Sequence, residues 1–327
     1  MACTPTPLVD AQGRTIAYLR LSLTDRCNFR CEYCSPADYE NPRHLLTREE
    51  IARLGSIFGR LGVRRIRLTG GEPTLRRDLV DVVGDLRAAP GIEEVALTTN
   101  GHRLADLARP LREAGLGSLN VSLDTLDAER LRRLSGRGAF LSDVLEGLDA
   151  AAAAGFPHLK VNTVVMGGVN EDELGRLVRH SWERGASPRF IELMPFGEGV
   201  PVPLARVKAL LAEQGIRLVP DGKRGWGPAH YMRDAESDPP RHVGFIGAIT
   251  ENFCDSCNRA RIAADGGFQA CLGGDTRHNL RDLLRAGASD DDVEALVRDA
   301  LRLKAPRHRM AEDGARLVLL PMMGIGG

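Results

Sequence analysis

The chain has 327 residues, in which 44 Lys and Arg balance 44 Asp and Glu, with 43% apolar and 27% charged residues. That length suits one large α/β domain plus a smaller appendage, and the mixture excludes disorder, collagen and coiled coil as overall descriptions. Zero net charge argues against a general binder of nucleic acid, which normally carries a basic excess, but leaves room for a local cation cluster facing a small phosphorylated molecule. The longest apolar stretches fall well short of the roughly 20 residues of a membrane span, and Met1 to Leu8 has neither a basic nor an apolar leader region, so a cytoplasmic protein is expected.

Taken in chain order, the first regular element is a strand. Leu19-Arg20-Leu21-Ser22-Leu23-Thr24 alternates strictly, with one aliphatic face and one polar face. Thr47 and Glu50 form a capping box that opens a helix running through Leu61. The period of two returns in Arg65 to Thr69, Asn120 to Asp124 and around Lys160-Val161-Asn162. Helical patterns lie between these strands at about 76–88, 103–114, 141–154 and 171–184. Strand and helix repeating about six times predicts a parallel sheet covered by helices. Because strands in a filled barrel read as continuous aliphatic runs, the polar rows predict an open or incomplete barrel with a wet hollow. Beyond Pro195 the alternation weakens. Gly197 to Pro203 reads as a loop, Leu204 to Gln214 as a helix, and Pro220 to Pro240 as a polar stretch rich in Gly and Pro. The expected division is therefore 12–219 for the barrel and 220–327 for a smaller domain capping one end of it.

Six of the seven cysteines fall in two groups. Cys27, Cys31 and Cys34 have C-x3-C-x2-C spacing, and Cys254, Cys257 and Cys271 have C-x2-C-x13-C spacing. Cys3 is left over and reads as incidental. Structural zinc usually takes four protein ligands, whereas a cubane given three thiolates keeps one iron open to a small molecule. The second group alone is also compatible with a zinc site.

The first spacing, with Tyr33 before the last Cys, resembles the radical S-adenosylmethionine (SAM) enzymes. Further residues narrow the likeness: Leu19 to Cys31, Arg67 to Pro73, Thr98 to Gly101, Asn120 to Asp124, Lys160 to Met166, Arg189 to Met194, Cys254 to Arg261 and the terminal Gly326-Gly327. Together these resemble the GTP 3′,8-cyclases of molybdenum cofactor biosynthesis, from about residue 12 to the end. The resemblance implies a partial (β/α)6 TIM-like barrel and a small C-terminal α+β domain carrying a second cluster. It implies two 4Fe-4S clusters, with the first triad binding SAM and the second holding guanine at its open iron. Tyr33, Gly71, Glu72, Ser122 and Met194 would line the SAM site, Glu72 accepting from the SAM amino group and glycine letting backbone approach the ligand. Arg20, Arg67, Thr98, Lys160, Arg259 and Arg261 would hold GTP, with Arg65 and Arg189 as further contributors. Internal pairing with Asp or Glu across the hollow is the alternative reading of the strand cations. The implied chemistry is hydrogen abstraction from C3′ by a 5′-deoxyadenosyl radical and attack on C8, giving 3′,8-cyclo-7,8-dihydro-GTP. Implied partners are GTP, a reducing electron donor, the next pathway enzyme and a second copy of the chain. The loop after Met194 is shorter than relatives often carry. Rival readings are a radical SAM enzyme that modifies a peptide or cofactor, and an electron-transfer or zinc-scaffold protein.

Overall fold

The computed structural model describes residues 6–34, 44–136, 138–196, 198–274, 276–308 and 310. Cys3 and Gly326-Gly327 lie outside these residues. Six parallel strands follow one another with helices between them: β1 (Tyr18–Ser22), α1 (Arg48–Arg60), β2 (Arg65–Thr69), α2 (Leu79–Ala88), β3 (Glu94–Thr99), α3 (Leu104–Glu113), β4 (Ser118–Ser122), α4 (Ala128–Ser135), α5 (Leu141–Ala153), β5 (His158–Val165), α6 (Leu174–Glu183) and β6 (Ser187–Glu192). After α7 (Leu204–Glu213) come β7 (Leu218–Arg224), β8 (His230–Asp234), β9 (His242–Ile246), β10 (Arg259–Ile262), β11 (Gly267–Gln269), β12 (His278–Asn279), α8 (Leu280–Arg285) and α9 (Asp290–Arg302).

The capping box at Thr47 is present, with Thr47 N donating to Glu50 Oε2 at 2.8 Å and Glu50 N donating to Thr47 Oγ1 at 3.2 Å. Sequence reading missed α4, which Asp127 caps by accepting from Arg130 N at 2.7 Å. Its Leu131 and Leu134 are buried, but eight residues give too few turns for a periodic signal to stand out.

The C-terminal segment does not simply cap one end of the barrel. Its β10 pairs in parallel with β1, and its β9 pairs in parallel with β6, so it widens the sheet at both edges. The full order is β12-β11-β10-β1-β2-β3-β4-β5-β6-β9-β8-β7. Part of the polar stretch after Pro220 forms the β7–β8 hairpin at one edge, where Pro and Gly are tolerated because, among the described residues, β7 has no partner strand on its outer side.

The aliphatic rows of the strands face the helices. Leu19, Leu21, Ile66, Leu68, Val95, Leu97, Leu119, Val121 and Val161 pack with Leu54, Phe58, Leu86, Leu111 and Leu148 in one buried cluster that also takes in Val293, Val297 and Leu301 of α9. Burying each such side chain contributes about 1.5–3 kcal/mol. With that face committed to the helices, the alternate residues point into the hollow.

Candidate functional site

Register places the polar row level by level. Arg261, Arg20 and Arg67 are neighbours across β10, β1 and β2, and one level below them Arg259, Tyr18 and Arg65 stand side by side. Arg67 donates from Nε to the Tyr18 hydroxyl and from Nη1 to Leu97 O and Thr98 Oγ1, both at 3.1 Å. Arg65 lies over the Tyr18 ring, 5.3 Å from its centroid, and pairs with Glu94 at 3.2 Å. Arg189 donates to Asn162 Oδ1 at 2.9 and 2.6 Å. Lys160 donates to Ser118 Oγ at 3.2 Å.

Arg65, Arg67, Arg189 and Lys160 are buried or half-buried, yet among the described residues Arg67, Arg189 and Lys160 have neutral hydrogen-bond partners, and of these four Arg65 alone pairs with a carboxylate. Internal pairing with acids therefore accounts for one of the four. The electrostatic result is large. Burial, followed by Arg189, Arg67 and Arg65, pushes the Lys160 ammonium down to about 6. Burial opposes ionisation of Tyr18, but Arg67, Arg65 and Arg20 outweigh it and draw the phenol down to about 7. Burial, with Arg259, also lowers Arg261 to about 10. Sequence reading missed Tyr18, although it continues the polar row two residues before Arg20.

The first cysteine group follows β1 at the C-terminal ends of the strands. Tyr33 donates to Asp124 Oδ2 at 2.7 Å, and Val164 N donates to Asp124 Oδ1 at 2.8 Å, tying this loop to β4 and β5. Burial raises Asp124 to about 6. The glycines of Gly70-Gly71-Glu72 answer a different need from the expected one. A Cβ on Gly71 would stand 2.3 Å from Arg26 O, and one on Gly70 would stand 2.4 Å from Thr24 O. The close approach is thus to the chain's own loop before Cys27, secured by Gly71 N to Thr24 O and Glu72 N to Arg26 O, both 2.7 Å. Glu72 is 1% exposed and accepts from Thr74 N, Thr74 Oγ1, Thr99 Oγ1 and Asn100 N at 2.6–3.0 Å. Four acceptances are about the capacity of a carboxylate. Ser122 and Met194 are half-buried at or just beyond the ends of β4 and β6.

Three thiols on one short loop suit a cluster by donor chemistry. Burial, with Glu72 next, pushes the Cys27 thiol up to about 12, and burial raises Cys31 to about 11. Iron bound there would supply the missing positive charge. Beside Cys27, Asn28 accepts from Asn100 Nδ2 at 2.8 Å through Oδ1, while its own buried Nδ2 has no partner among the described residues. An orphaned buried donor of this kind fits a ligand at this loop.

The second group precedes β10. Arg259, the first residue of β10, pairs with Tyr18, the first residue of β1, so Cys257 stands at the N-terminal end of strands whose C-terminal ends lead to Cys27. The triads therefore bracket the hollow from opposite ends, and at ~3.3 Å per residue β1 alone spans about 13 Å between them. Arg259 lies over the Phe253 ring, 4.7 Å from its centroid. Burial works against ionisation of Cys257, but Arg259 and Lys304 bring the thiol below its ordinary value; His308 does the same for Cys254. Burial raises the Cys271 thiol, and the two neighbouring thiols add to the rise. Surroundings that favour the thiolate at two of the three cysteines fit a metal cluster. Among the described residues no three His, Cys, Asp or Glu side chains close around a position for one ion. A cubane takes each thiolate on a different iron, so its ligands need not converge in that way.

Residues 21–180 match the Radical SAM superfamily and residues 186–310 match the Molybdenum Cofactor Synthesis C family. The chain is 43% identical over 330 residues to the GTP 3′,8-cyclase of Pseudomonas putida strain W619, covering 98% of each chain. It is 44% identical over 317 residues to that of Heliobacterium modesticaldum, covering 94% of this chain and 96% of the relative. Among solved structures, SuiB of Streptococcus suis bound to S-adenosylmethionine superposes with a TM-score of 0.61 at 16% identity, covering 88% of this chain and 69% of that one, a likeness of fold. The partial barrel, its bracketing cysteine triads and these matches over nearly the whole length lead to one conclusion: the chain belongs to the radical SAM superfamily and, within it, to the GTP 3′,8-cyclase family.

Proposed function

We propose that this chain is a radical SAM GTP 3′,8-cyclase, a lyase that converts GTP to 3′,8-cyclo-7,8-dihydro-GTP in molybdenum cofactor biosynthesis. The observation that carries the reading is the cationic hollow between two cysteine triads, in a chain 43% identical to a GTP 3′,8-cyclase over nearly its whole length. The barrel unit is taken as 12–219 and the unit bearing the second triad as 220–327.

Cys27, Cys31 and Cys34 would hold one 4Fe-4S cluster, and Cys254, Cys257 and Cys271 a second. The first, with SAM, supplies one-electron cleavage of the sulfonium and so the power to take hydrogen from a sugar carbon. Tyr33, Gly71, Ser122 and Met194 would border SAM. Glu72, already committed to Thr74, Thr99 and Asn100, would serve chiefly by fixing the turn against the loop before Cys27.

Arg20, Arg67 and Lys160 would bind the triphosphate, with Arg65, Arg189 and Thr98 alongside; a phosphate there offsets the cost of burying several cations close together. Arg259 and Arg261 would orient the guanine end beside the second triad. The hollow then contributes mainly position, aiming one sugar carbon at the SAM end. A reducing electron donor, a homodimer, transfer of product to the next pathway enzyme and a cytoplasmic location complete the proposal. Among the described residues no helix is long and apolar enough to cross a membrane.

The direct test is anaerobic incubation of the iron-reconstituted protein with GTP, SAM and a strong reductant, followed by mass and isotope analysis. The proposal expects a cyclised nucleotide of unchanged mass, with deuterium at C3′ carried into 5′-deoxyadenosine. SAM cleavage without any change in GTP would overturn it.

A further inference from the structure

Next to the second triad lies a buried ion network that belongs to no cysteine motif and to neither set of ligand-binding residues proposed above. Lys304, just beyond α9, is one of only four lysines, and its side chain is 1% exposed. Its Nζ donates to Arg259 O at 2.8 Å and lies 3.7 Å from both Cys257 Sγ and Asp10 Oδ2. Asp10, also buried, accepts from Gln12 N and Arg14 N at 3.0 Å through Oδ1 and from Arg14 Nε at 2.7 Å through Oδ2. Arg14 in turn donates to Cys254 O and Pro306 O, both at 2.8 Å, and to Ala305 O at 3.1 Å. A turn near residue 10 is thereby tied to the backbone of Cys254, the backbone of Arg259 and the sulfur of Cys257.

The charges do not close among themselves. Two cations share one carboxylate, and a surplus buried positive charge is costly unless an anion compensates it. The sulfur of Cys257, at 3.7 Å, supplies that anion when it is a thiolate, the form in which cysteine binds iron. Meanwhile the bond to Arg259 O fixes the first residue of β10, the strand that sets Arg259 beside Tyr18 and Arg261 beside Arg20.

We infer that Asp10, Arg14 and Lys304 form a positioning brace for the second cysteine triad, holding Cys254, Cys257 and Arg259 in register and balancing the thiolate charge of the group bound there. This rests on the reading of the second triad as a cluster site. The three act through Cys257 and Arg259 and need not touch the nucleotide.

The test uses full-length protein, reconstituted anaerobically with iron and sulfide, comparing wild type with Lys304→Met, Lys304→Arg and Asp10→Asn. Iron and sulfide content, the reduction potential of the clusters, GTP affinity and SAM cleavage are measured on each. Lys304→Met is expected to hold about half the wild-type iron and to lose about tenfold or more in GTP affinity, the scale of a lost charged hydrogen bond. SAM cleavage at the first triad should persist, and Lys304→Arg should recover most of the iron. Asp10→Asn should shift the potential of the second cluster with less loss of iron. Lys304→Met with unchanged iron, potential and GTP affinity would overturn the inference alone. Loss of all iron in both Lys304 variants would mark a folding role and overturn it too. Wild-type protein that loads only one cluster would instead remove the two-cluster reading on which the brace depends.

Discussion

Lys160 is the sharpest test of the cationic hollow. A guanidinium holds its proton more tightly than an ammonium, so relief of the mutual repulsion falls on the lysine. Burial and then Arg189, Arg67 and Arg65 bring it from 10.5 to about 6, leaving it mostly neutral at pH 7.5. At about 1.4 kcal/mol per pH unit, holding that amine neutral three units below its ordinary value costs the folded protein on the order of 4 kcal/mol at pH 7.5. The sign follows: the cost is complete below pH 6 and fades as pH rises toward 10.5, because the unfolded chain binds the extra proton. A triphosphate beside Lys160 reverses the balance and restores the ammonium, so on GTP binding Lys160 should take up about one proton from solvent at pH 7.5. Tyr18, drawn down to about 7 by the same arginines, adds a smaller uptake, while Glu94 stays paired with Arg65. Anaerobic titration calorimetry in buffers of differing ionisation enthalpy reads the uptake directly. Lys160→Met should abolish most of it, Tyr18→Phe only the remainder, and GTP affinity of the wild type should fall by up to about tenfold per pH unit between pH 7.5 and 8.5. Lys160→Met should also stabilise the GTP-free protein by about 2–4 kcal/mol in denaturant unfolding at pH 7.5. Binding heats that do not depend on the buffer, in protein that still binds GTP, would refute the reasoning.

Three further outcomes are expected. Arg259→Ala and Arg261→Ala should each weaken GTP binding by about tenfold to a hundredfold and abolish cyclisation while sparing SAM cleavage; unchanged cyclisation would remove both residues from the site. Gly71→Ala forces a Cβ to within 2.3 Å of Arg26 O, a backbone atom that cannot swing aside, and should cost about 2 kcal/mol or more and lower iron retention at the first triad. Asp124→Asn keeps an acceptor for Val164 N and offers a donor to the Tyr33 oxygen. Because burial raises Asp124 from 3.8 to about 6, the wild-type carboxylate weakens the fold as pH rises through that window. The variant should therefore gain up to about 3 kcal/mol at pH 7 and lose this advantage near pH 4, as followed by anaerobic denaturant unfolding.

Local patterns carried much of this structure. The alternation from Leu19 to Thr24 and from Arg65 to Thr69 yields β1 and β2, and the capping box at Thr47 yields α1, because these signals act within a few residues. What could not be read was which distant segments pair. Nothing in Arg259 to Ile262 says that it will lie beside β1, or in His242 to Ile246 that it will lie beside β6, since parallel pairing leaves no turn between the partners. The candidate site divides in the same way. The cysteines and strand cations stood out by spacing and by row, whereas Lys304, Asp10 and Arg14 sit in unremarkable contexts and gain meaning only when residues some 290 apart in sequence come within bonding distance. Gly70 and Gly71 were visible, but their neighbour was not. The backbone they admit is that of the loop before Cys27.

Strand polarity explains why the two triads must lie apart. In a parallel sheet every C-terminal end points the same way, so a cysteine loop that follows β1 and one that precedes β10 occupy opposite ends. Between them the chain, neutral overall, separates its charges: acids such as Asp85, Asp149 and Asp172 pair with Arg48, Arg184 and Arg130 near the surface, while Arg20, Arg67, Arg189 and Lys160 line the interior. Surface pairs are weak and screened by salt, whereas interior charges act in a lower dielectric and are screened less. A neutral protein can in this way present a strongly positive hollow. The attraction for a polyphosphate comes from where the cations sit, and it should be less sensitive to salt than an exposed basic patch of the same charge.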